Sequence, residues 1–428
     1  MNVRTGLSVL LPIVLLAACH KDSSLPKPVT PGGTATSGTM NINLANPKAY
    51  SGNVSYEMII SEPGGKVLLD TIVSYAATVK AALSTSAGVV DLTLVDTVDG
   101  RHDLTVYKSI NPSTWINALP SSYVTGFRSS LPNTTASSLF ITHFPAVGAV
   151  GTDIFQTFFF NNGSVDSKTG ANFSPSENTL DLGYQRYPGA YNYFSIPQLG
   201  LYKLYIPTRN KDTLDGAHMD TLLSVTYPRN IPFQMSYFGT TFLGITDTTN
   251  RLLDVNFMDA IYEHTLANVD LQYPRQPMQA YELYFNGATS TNDQLGFYSY
   301  GKSVPTRWTF PDPAQFTVLN NQIDNLSIKF NTSTANAICY SGWNTSDFKS
   351  SLVLYWPPDS TSLHPLSMLT GLKGKFFSGA LVSGMKFANF TFQQVPNFSY
   401  AGYFNYVNDP AKIATHQLTS TTFYTRYF

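Results

Sequence analysis

The chain has 428 residues and a formal net charge of −1, with 26 Lys and Arg against 27 Asp and Glu. A balanced charge without a basic cluster argues against nucleic acid as a partner. Charged residues make up only 12% of the sequence, whereas aromatic residues make up 14%. Because aromatic and β-branched residues favour strands over helices, we predict an all-β protein.

The first 18 residues have the layout of a secretory signal. Arg4 supplies a positive charge, an apolar run follows, and the small residues Ala17 and Ala18 precede Cys19. The apolar run is too short to cross a bilayer core of about 30 Å as a helix. A charged start, a short apolar core and small residues at the end are typical of a cleaved signal. We therefore expect residues 1–18 to be a signal peptide.

The segment Leu16-Ala17-Ala18-Cys19 resembles the lipobox of bacterial lipoproteins. The resemblance implies cleavage before Cys19 and lipidation of that cysteine. A single acyl chain holds a protein to a membrane weakly, whereas two or more anchor it stably. Residues 19–39 are rich in Ser, Pro, Gly and Thr, which predicts a flexible tether behind the lipid. The alternative is an ordinary signal peptide followed by a chance cysteine.

Short strands are predicted from residue 40 onwards. Apolar and polar residues alternate over 54–60 and again over 67–73, with a Pro-Gly-Gly turn between the two segments. A period of two around such a turn predicts a hairpin. A second hairpin is predicted around Asp99-Gly100, since Asp-Gly favours a tight turn. Short strands with regular turn signals are typical of a β-sandwich, and we assign residues 40–125 to the first such domain.

The rest of the chain is predicted to form two further β domains. The second covers residues 126–260, and the third covers 261–428 and is rich in aromatic residues. A short helical turn is predicted within 112–123, and the aromatic run 400–406 is predicted to be a strand. The predicted architecture is therefore a series of tandem β-sandwich-like domains behind a lipidated tether.

Three late tryptophans, Trp308, Trp343 and Trp356, are the candidate ligand-binding residues. Large aromatic rings can stack on sugar rings, and this interpretation predicts a binding platform. The alternative is that they fill the core, where aromatic residues contribute most to burial. Cys339 is predicted to be a small buried residue rather than a nucleophile, because free cysteine packs as a hydrophobic side chain.

Two segments share the pattern D-T-(V/L)-D-G-x-H, one from Asp96 to His102 and one from Asp212 to His218. They could mark two related domains, or two turns that have similar chemistry. Asp and His are also possible metal ligands, but the spacing does not match an EF-hand loop. We expect turn chemistry here, and neither a metal nor a cofactor.

Several sites resemble the O-glycosylation sequence of secreted Bacteroidetes proteins, in which Asp is followed by Ser or Thr and then by an apolar residue or Thr. A sugar is bulky and polar, so it is compatible only with an exposed hydroxyl. Three of the sites stand beside turn signals, where exposure is expected. The candidate sites are Thr97, Thr213, Thr221, Thr248 and Ser360.

The chain as a whole resembles the β-rich outer-membrane lipoproteins of the Bacteroidetes, through its lipobox, its tether and its aromatic β modules. The resemblance implies export and an anchor in the outer membrane through Cys19, on the cell surface or the periplasmic face. The sequence carries no catalytic signature such as H-E-x-x-H or G-x-S-x-G. We therefore expect a non-catalytic lipoprotein that binds glycan or a surface protein. The alternative is a surface hydrolase, of the glycoside hydrolase kind, with dispersed carboxylates.

Overall fold

The computed structural model places most of the folded chain in strands. Its described residues are 36–44, 55–74, 77–98, 100–118, 135–143, 155–160, 163–167, 172–174, 179–186, 192–196, 200–205, 209, 211–228, 235–245, 254–259, 268–274, 278–289, 291, 293–306, 312–359, 361–407 and 417–428. Strands dominate these ranges, which confirms the prediction of an all-β protein.

The strands and helices are as follows, in chain order. The first strands are β1 (Thr36–Leu44), β2 (Ser55–Ser61), β3 (Val67–Ser74), β4 (Ala77–Thr85), β5 (Val90–Val98), β6 (Arg101–Ile110) and β7 (Trp115–Ala118). The middle strands are β8 (Thr135–Thr142), β9 (Phe155–Phe160), β10 (Gly163–Ser167), β11 (Asn172–Ser174), β12 (Thr179–Arg186), β13 (Asn192–Ile196), β14 (Leu201–Tyr205), β15 (Lys211–Asp215), β16 (Asp220–Thr221), β17 (Leu223–Pro228), β18 (Met235–Ile245), β19 (Asp254–Asp259), β20 (Asn268–Tyr273), β21 (Ala280–Thr289) and β22 (Gln294–Gly301). The last elements are β23 (Phe316–Gln322), β24 (Asn325–Phe330), β25 (Ala337–Asn344), β26 (Ser350–Trp356), β27 (Ser362–Leu363), α1 (Pro365–Leu372), α2 (Gly379–Ser383), β28 (Lys386–Gln394), α3 (Tyr400–Val407) and β29 (Ser420–Tyr427).

The chain divides into two compact units. The first unit contains both the beginning and the end of the chain, and the second contains most of the middle. The first unit is Met1–Gly126, Asn292–Leu295 and Pro311–Phe428, and the second is Phe127–Thr291 and Gly296–Phe310.

The first unit corrects the prediction that 40–125 and 261–428 are separate domains. Strand β6 pairs in parallel with β26, so that Leu104 lies opposite Leu352. The main sheet of this unit runs in the order β3-β2-β5-β6-β26-β25-β28-β29. Strands from the two ends of the chain therefore share one sheet.

Both faces of the main sheet are covered. On one face, Tyr107 of β6 stacks on Tyr355 of β26, and Phe404 of α3 meets both rings edge-on. The next residue, Trp356, faces the opposite side, because successive side chains of a strand alternate. Its ring lies 6.1 Å from that of Phe330 in β24. The short sheet β23-β24-β27 thus forms a second layer in a sandwich-like arrangement.

Three local predictions differ from the structure. Strand β1 begins at Thr36, inside the segment predicted to be tether, because it pairs antiparallel with β4, with Thr36 opposite Thr85. The helical turn predicted within 112–123 is not present over 112–118, where Trp115–Ala118 forms a strand that pairs in parallel with β1; residues 119–123 lie outside the described residues. The strand predicted at 400–406 is also wrong, because Tyr400–Val407 is the helix α3.

A buried carboxylate fastens the loop between α1 and α2 to the main sheet. Glu57 of β2 is 0% exposed. Its two oxygens accept hydrogen bonds from the backbone nitrogens of Lys375 and Phe376, at 2.5 and 2.7 Å. The side chain of Lys375 also reaches Asp70 of β3, at 2.7 Å. These bonds hold the end of α1 against the first hairpin.

The second unit is built from smaller sheets. Their strand orders are β10-β9-β13-β14-β16 and β11-β12-β8-β15, and β17 pairs with β20. Strand β18 pairs with both β19 and β21. Phe242, Leu283 and Phe285 are fully buried here. Among the described residues of the whole chain, no helix is long and apolar enough to span a membrane.

Candidate functional site

A cavity of about 540 Å³ opens in the first unit, between helix α1 and the turn that joins β2 to β3. Small-molecule sites usually have volumes of about 300–1,000 Å³, so the cavity is large enough for a small ligand. Its lining contains both polar and apolar residues. The lining residues are Ser61, Pro63, Gly64, Gly65, Asp91, Lys108, Leu354, Ser362, Leu363, His364, Pro365, Ser367, Met368, Gly371 and Leu372.

Local sequence explains the two opposing walls. The β2–β3 turn is closed by a hydrogen bond from the Glu62 nitrogen to the Lys66 oxygen, at 2.9 Å. Gly65 has a φ of 85°, which only glycine adopts without strain. On the other side, Pro365 occupies the first turn of α1, where its missing N–H is not needed. The helix ends where Lys373 takes a left-handed conformation.

An ion pair lines the cavity. The Lys108 Nζ is 2.9 Å from Asp91 Oδ2, and the two side chains are 17% and 6% exposed. The same Nζ lies 3.6 Å from the Met368 sulfur. The other oxygen of Asp91 accepts a hydrogen bond from the Ser109 nitrogen, at 2.8 Å. A buried charge is stable only when it is paired and hydrogen-bonded, and Asp91 meets both conditions.

A local irregularity of β5 and β6 produces this arrangement. The register of the two strands shifts between Val90 and Leu92. Ser109, in the facing part of β6, has a φ of 53°. A bulge of this kind re-aims side chains and is often found beside functional sites. Here the bulge allows Asp91 to bind both the Lys108 side chain and the backbone nitrogen of Ser109.

His364 lies at the start of α1 and has a defined tautomer. Its Nδ1 is 2.6 Å from the carbonyl oxygen of Asp324. A carbonyl only accepts hydrogen bonds, so Nδ1 carries the proton and, in a neutral ring, Nε2 is an acceptor. The Ser367 hydroxyl donates to the His364 carbonyl at 3.1 Å. Both side chains thus keep an acceptor available.

The sequence analysis missed this site because no local motif marks it. Asp91 and Lys108 are 17 residues apart on neighbouring strands, and α1 comes from the other end of the chain. One signal was available: a charged residue within the strand segment that starts at Val90 is unusual in a chain with so few charges.

The candidate tryptophans do not form a binding platform in the described structure. Trp343 and Trp356 are both 0% exposed. The ring of Trp343 packs against Phe387, and that of Trp356 packs against Phe330. Both residues lie on the inner side of sheet strands, so the core interpretation is confirmed for them. Trp308 lies outside the described residues.

The hydrolase alternative requires two neighbouring carboxylates. Asp96 and Asp103 lie directly opposite each other on β5 and β6, where side chains are about 5 Å apart. Asp103, however, is held by Arg101 at 2.7 Å and by the Ser351 hydroxyl at 2.5 Å. Both carboxyl groups are buried, at 7% and 2% exposure. Neither lines the cavity, so this pair gives the hydrolase alternative no support.

The two D-T-(V/L)-D-G-x-H segments adopt different local structures. The first forms the β5–β6 hairpin, in which Gly100 has a φ of 77°. In the second, Gly216–His218 is a short 3-10 helix, and the Asp215 side chain caps its N-terminus by accepting from the Ala217 nitrogen. The shared pattern therefore does not mark equivalent turns in two related domains.

Asp215 of the second segment joins two histidines. Its oxygens lie 3.0 Å from His143 Nδ1 and 2.8 Å from His218 Nδ1. The hydrogen bond from the Ala217 nitrogen, followed by that from His143, lowers the pKa of the Asp215 carboxyl. Parallel pairing of β8 with β15 brings His143 to this position. Within the described ranges, no group of three such side chains is arranged to hold a metal ion.

The candidate glycosylation sites differ in exposure. Thr213 and Thr221 are exposed. Thr97 is half-buried, and its hydroxyl donates to the Ser55 carbonyl at 3.2 Å, so it is less exposed than the neighbouring turn signal suggested. Thr248 and Ser360 lie outside the described residues. O-glycosylation itself stays a prediction.

Of the two cysteines, only Cys339 lies within the described residues. Cys339 is fully buried, and burial raises the pKa of its thiol well above the ordinary value. It is therefore a packed core residue, as predicted. Cys19 lies outside the described residues.

Comparison with known proteins gives no family assignment. No protein-family model matches the chain, and no curated protein matches it significantly.

Proposed function

We propose that the protein is a non-catalytic lipoprotein that binds glycan through the cavity of its first unit. The observation that carries the proposal is the ion pair of buried Asp91 with half-buried Lys108 in the lining of a cavity of about 540 Å³. A few placed polar groups beside an apolar wall are the usual features of a small-molecule site. In this proposal the chain is exported and held at the outer membrane by lipidated Cys19.

Several features of the cavity favour a sugar over a protein partner. The site is concave, whereas the surfaces that bind proteins are broad and bury about 800 Å² on each side. Donors and acceptors lie close together, as in Lys108 and Asp91. Leu363, Pro365 and Leu372 supply an apolar wall. A sugar ring presents hydroxyl groups at its edge and C–H groups on its faces, and it matches both kinds of lining.

A bulky residue at Gly371 is expected to block the cavity. Gly371 lies within α1, lines the cavity, and has no atom within 4 Å of the position a Cβ would take. The Cβ of Gly371→Phe therefore meets no neighbouring atom, and the substitution replaces a poor helix former. We expect sugar binding to weaken at least tenfold. The full-length protein in detergent is titrated with glucose, galactose, xylose and N-acetylglucosamine by saturation-transfer NMR.

A matched substitution controls for the added surface ring. Ala380 lies in α2, is exposed, and does not line the cavity. Ala380→Phe should leave binding of the same sugars unchanged. Binding that survives Gly371→Phe would place the sugar site elsewhere. Failure of all four sugars, and of the oligosaccharides that contain them, to bind the wild-type protein would overturn the glycan proposal and favour a protein partner.

The lipid anchor is tested separately. Because the acyl chains are proposed to sit on Cys19, Cys19→Ser is expected to release the protein from the membrane fraction. Metabolic labelling with a fatty acid should mark the wild-type chain and not the variant. Cys339→Ser serves as the control, since Cys339 is buried in the fold. A Cys19→Ser protein that still carries the label would show that the anchor is elsewhere.

A further inference from the structure

We infer that the cavity selects an uncharged sugar and rejects sugars that carry a carboxylate. The inference rests on the proposed function and adds the chemical class of the ligand. It follows from the charge of the cavity and from its balance of hydrogen-bond donors and acceptors.

The charges of the cavity cancel. Among the lining residues, only Asp91 and Lys108 carry a full charge when histidine is neutral. They pair at 2.9 Å, so an acidic ligand finds no uncompensated positive charge. Just outside the lining, Glu62 and Lys66 form a second ion pair at 3.7 Å. An anion entering the cavity would lose its hydration without gaining a cationic partner of its own.

The cavity offers more acceptors than donors. Asp91 is an ionised carboxylate, each of whose oxygens has a second lone pair after its present bond. The Ser362 hydroxyl donates to Asn325 at 3.3 Å, and the Ser367 hydroxyl donates to the His364 carbonyl. Both hydroxyl oxygens are therefore left as acceptors.

The remaining polar side chains of the lining are those of His364, Lys108 and Ser61, and the Ser61 hydroxyl can both donate and accept. His364 presents Nε2 as an acceptor, because its Nδ1 is committed to the Asp324 carbonyl. The Lys108 ammonium has three N–H donors. One goes to Asp91, and a second lies near the weakly accepting sulfur of Met368. At least one N–H of Lys108 remains for a ligand oxygen.

An acceptor-rich cavity requires a ligand with many donors. Each hydroxyl of a sugar donates one hydrogen bond and can accept others. A carboxylate only accepts, so in this cavity it could use the remaining N–H of Lys108 but would offer no proton to the oxygens of Asp91 and the serines. Replacing a sugar hydroxymethyl group by a carboxylate therefore removes a donor and adds a like charge beside Asp91.

Matched pairs of sugars test the inference on the wild-type protein. Glucose is compared with glucuronic acid, and galactose with galacturonic acid, at neutral pH. We expect each neutral sugar to bind at least tenfold more tightly than its acid. Binding of the neutral sugars should also change little with salt, because no net charge is neutralised. Equal or tighter binding of the acids would overturn the inference.

Removing the negative charge should change the selectivity in a defined direction. Asp91→Asn leaves Lys108 without its counter-charge, so the ratio of neutral to acidic sugar affinity should fall at least threefold. The exposed Asp347 in the same unit provides the matched control, and Asp347→Asn should leave the ratio unchanged. Circular dichroism verifies that Asp91→Asn is folded. If the variant does not fold, the comparison of neutral and acidic sugars on the wild-type protein still tests the inference. An unchanged ratio in folded Asp91→Asn would contradict the inference.

The outcomes separate this inference from the proposed function. Acidic sugars that bind as tightly as neutral ones, and are blocked by Gly371→Phe, would leave the cavity as the binding site and overturn only the ligand class. Sugar binding that is unchanged by Gly371→Phe would overturn both the cavity as the binding site and the inference about its ligand class. The two conclusions therefore fail in different experiments.

Discussion

Replacing Trp356 by alanine is expected to lower the free energy of unfolding of the first unit by about 3–5 kcal/mol. Trp356 is 0% exposed, and its ring packs against those of Phe330 and Phe390. Truncation removes most of the side chain and leaves a cavity that its rigid neighbours cannot fill. Denaturant unfolding followed by circular dichroism measures the change. A chain with two units need not unfold in one transition, so the change should be seen in the transition of the first unit.

Phenylalanine substitutions separate packing from hydrogen bonding. The Trp356 indole nitrogen donates to the buried Ser341 hydroxyl at 3.2 Å. The Trp343 indole nitrogen has no hydrogen-bond partner among the described residues. Trp356→Phe should therefore destabilise by about 1 kcal/mol more than Trp343→Phe. If Trp356→Ala left stability unchanged and altered sugar binding instead, the tryptophan would be a ligand contact and not a core residue.

Replacing Glu57 by alanine is expected to lower the free energy of unfolding of the first unit by about 2–4 kcal/mol. The substitution leaves two buried backbone donors, at Lys375 and Phe376, without the acceptors they now have. Because these donors lie in the loop after α1, the wall of the cavity should also loosen. Hydrogen exchange of the two amides should accelerate, and denaturant unfolding should give the change in stability.

A neighbouring ion pair provides the control for Glu57. Lys375 also contacts Asp70, but these side chains are 53% and 31% exposed. Exposed pairs contribute about 1 kcal/mol or less, so Asp70→Ala should destabilise far less than Glu57→Ala. Equal effects of the two substitutions would show that the loop is held by surface charge and not by the buried carboxylate.

The parts of the fold that depend on local sequence were predictable. The β2–β3 hairpin follows from alternation and a Pro-Gly-Gly turn, and its strands meet between Ser61 and Val67. The all-β class follows from the high aromatic content, because aromatic residues favour strands. The division into domains was not predictable, because the pairing of β6 with β26 joins segments that no local pattern connects.

Helix α3 shows where a local signal was misinterpreted. Its buried residues include Tyr400, Tyr403 and Phe404, at the spacing of three and four that is typical of a helix. The Ser399 hydroxyl accepts from the Gly402 nitrogen at 3.2 Å, as a residue at a helix N-terminus does. The high aromatic content suggested a strand, but periodicity was the better guide.

The candidate cavity was beyond sequence analysis for a spatial reason. Its ion pair joins neighbouring strands at a bulge, and its apolar wall comes from α1, more than 250 residues later, with Met368 260 residues from Lys108. Neither part carries a motif of its own. Only the fold brings them together.

The parallel pairing of β6 with β26 also determines the order in which the first unit can be completed during synthesis. Asp103 and Ser351, which meet across this pairing, are 248 residues apart. Until β26 has left the ribosome, the strands made first form a sheet that ends at β6, with the backbone of that strand unpaired. An open sheet edge is a template for pairing with another chain, and contacts between distant residues form slowly. The nascent chain therefore passes through a long period in which its earliest strands are vulnerable to aggregation.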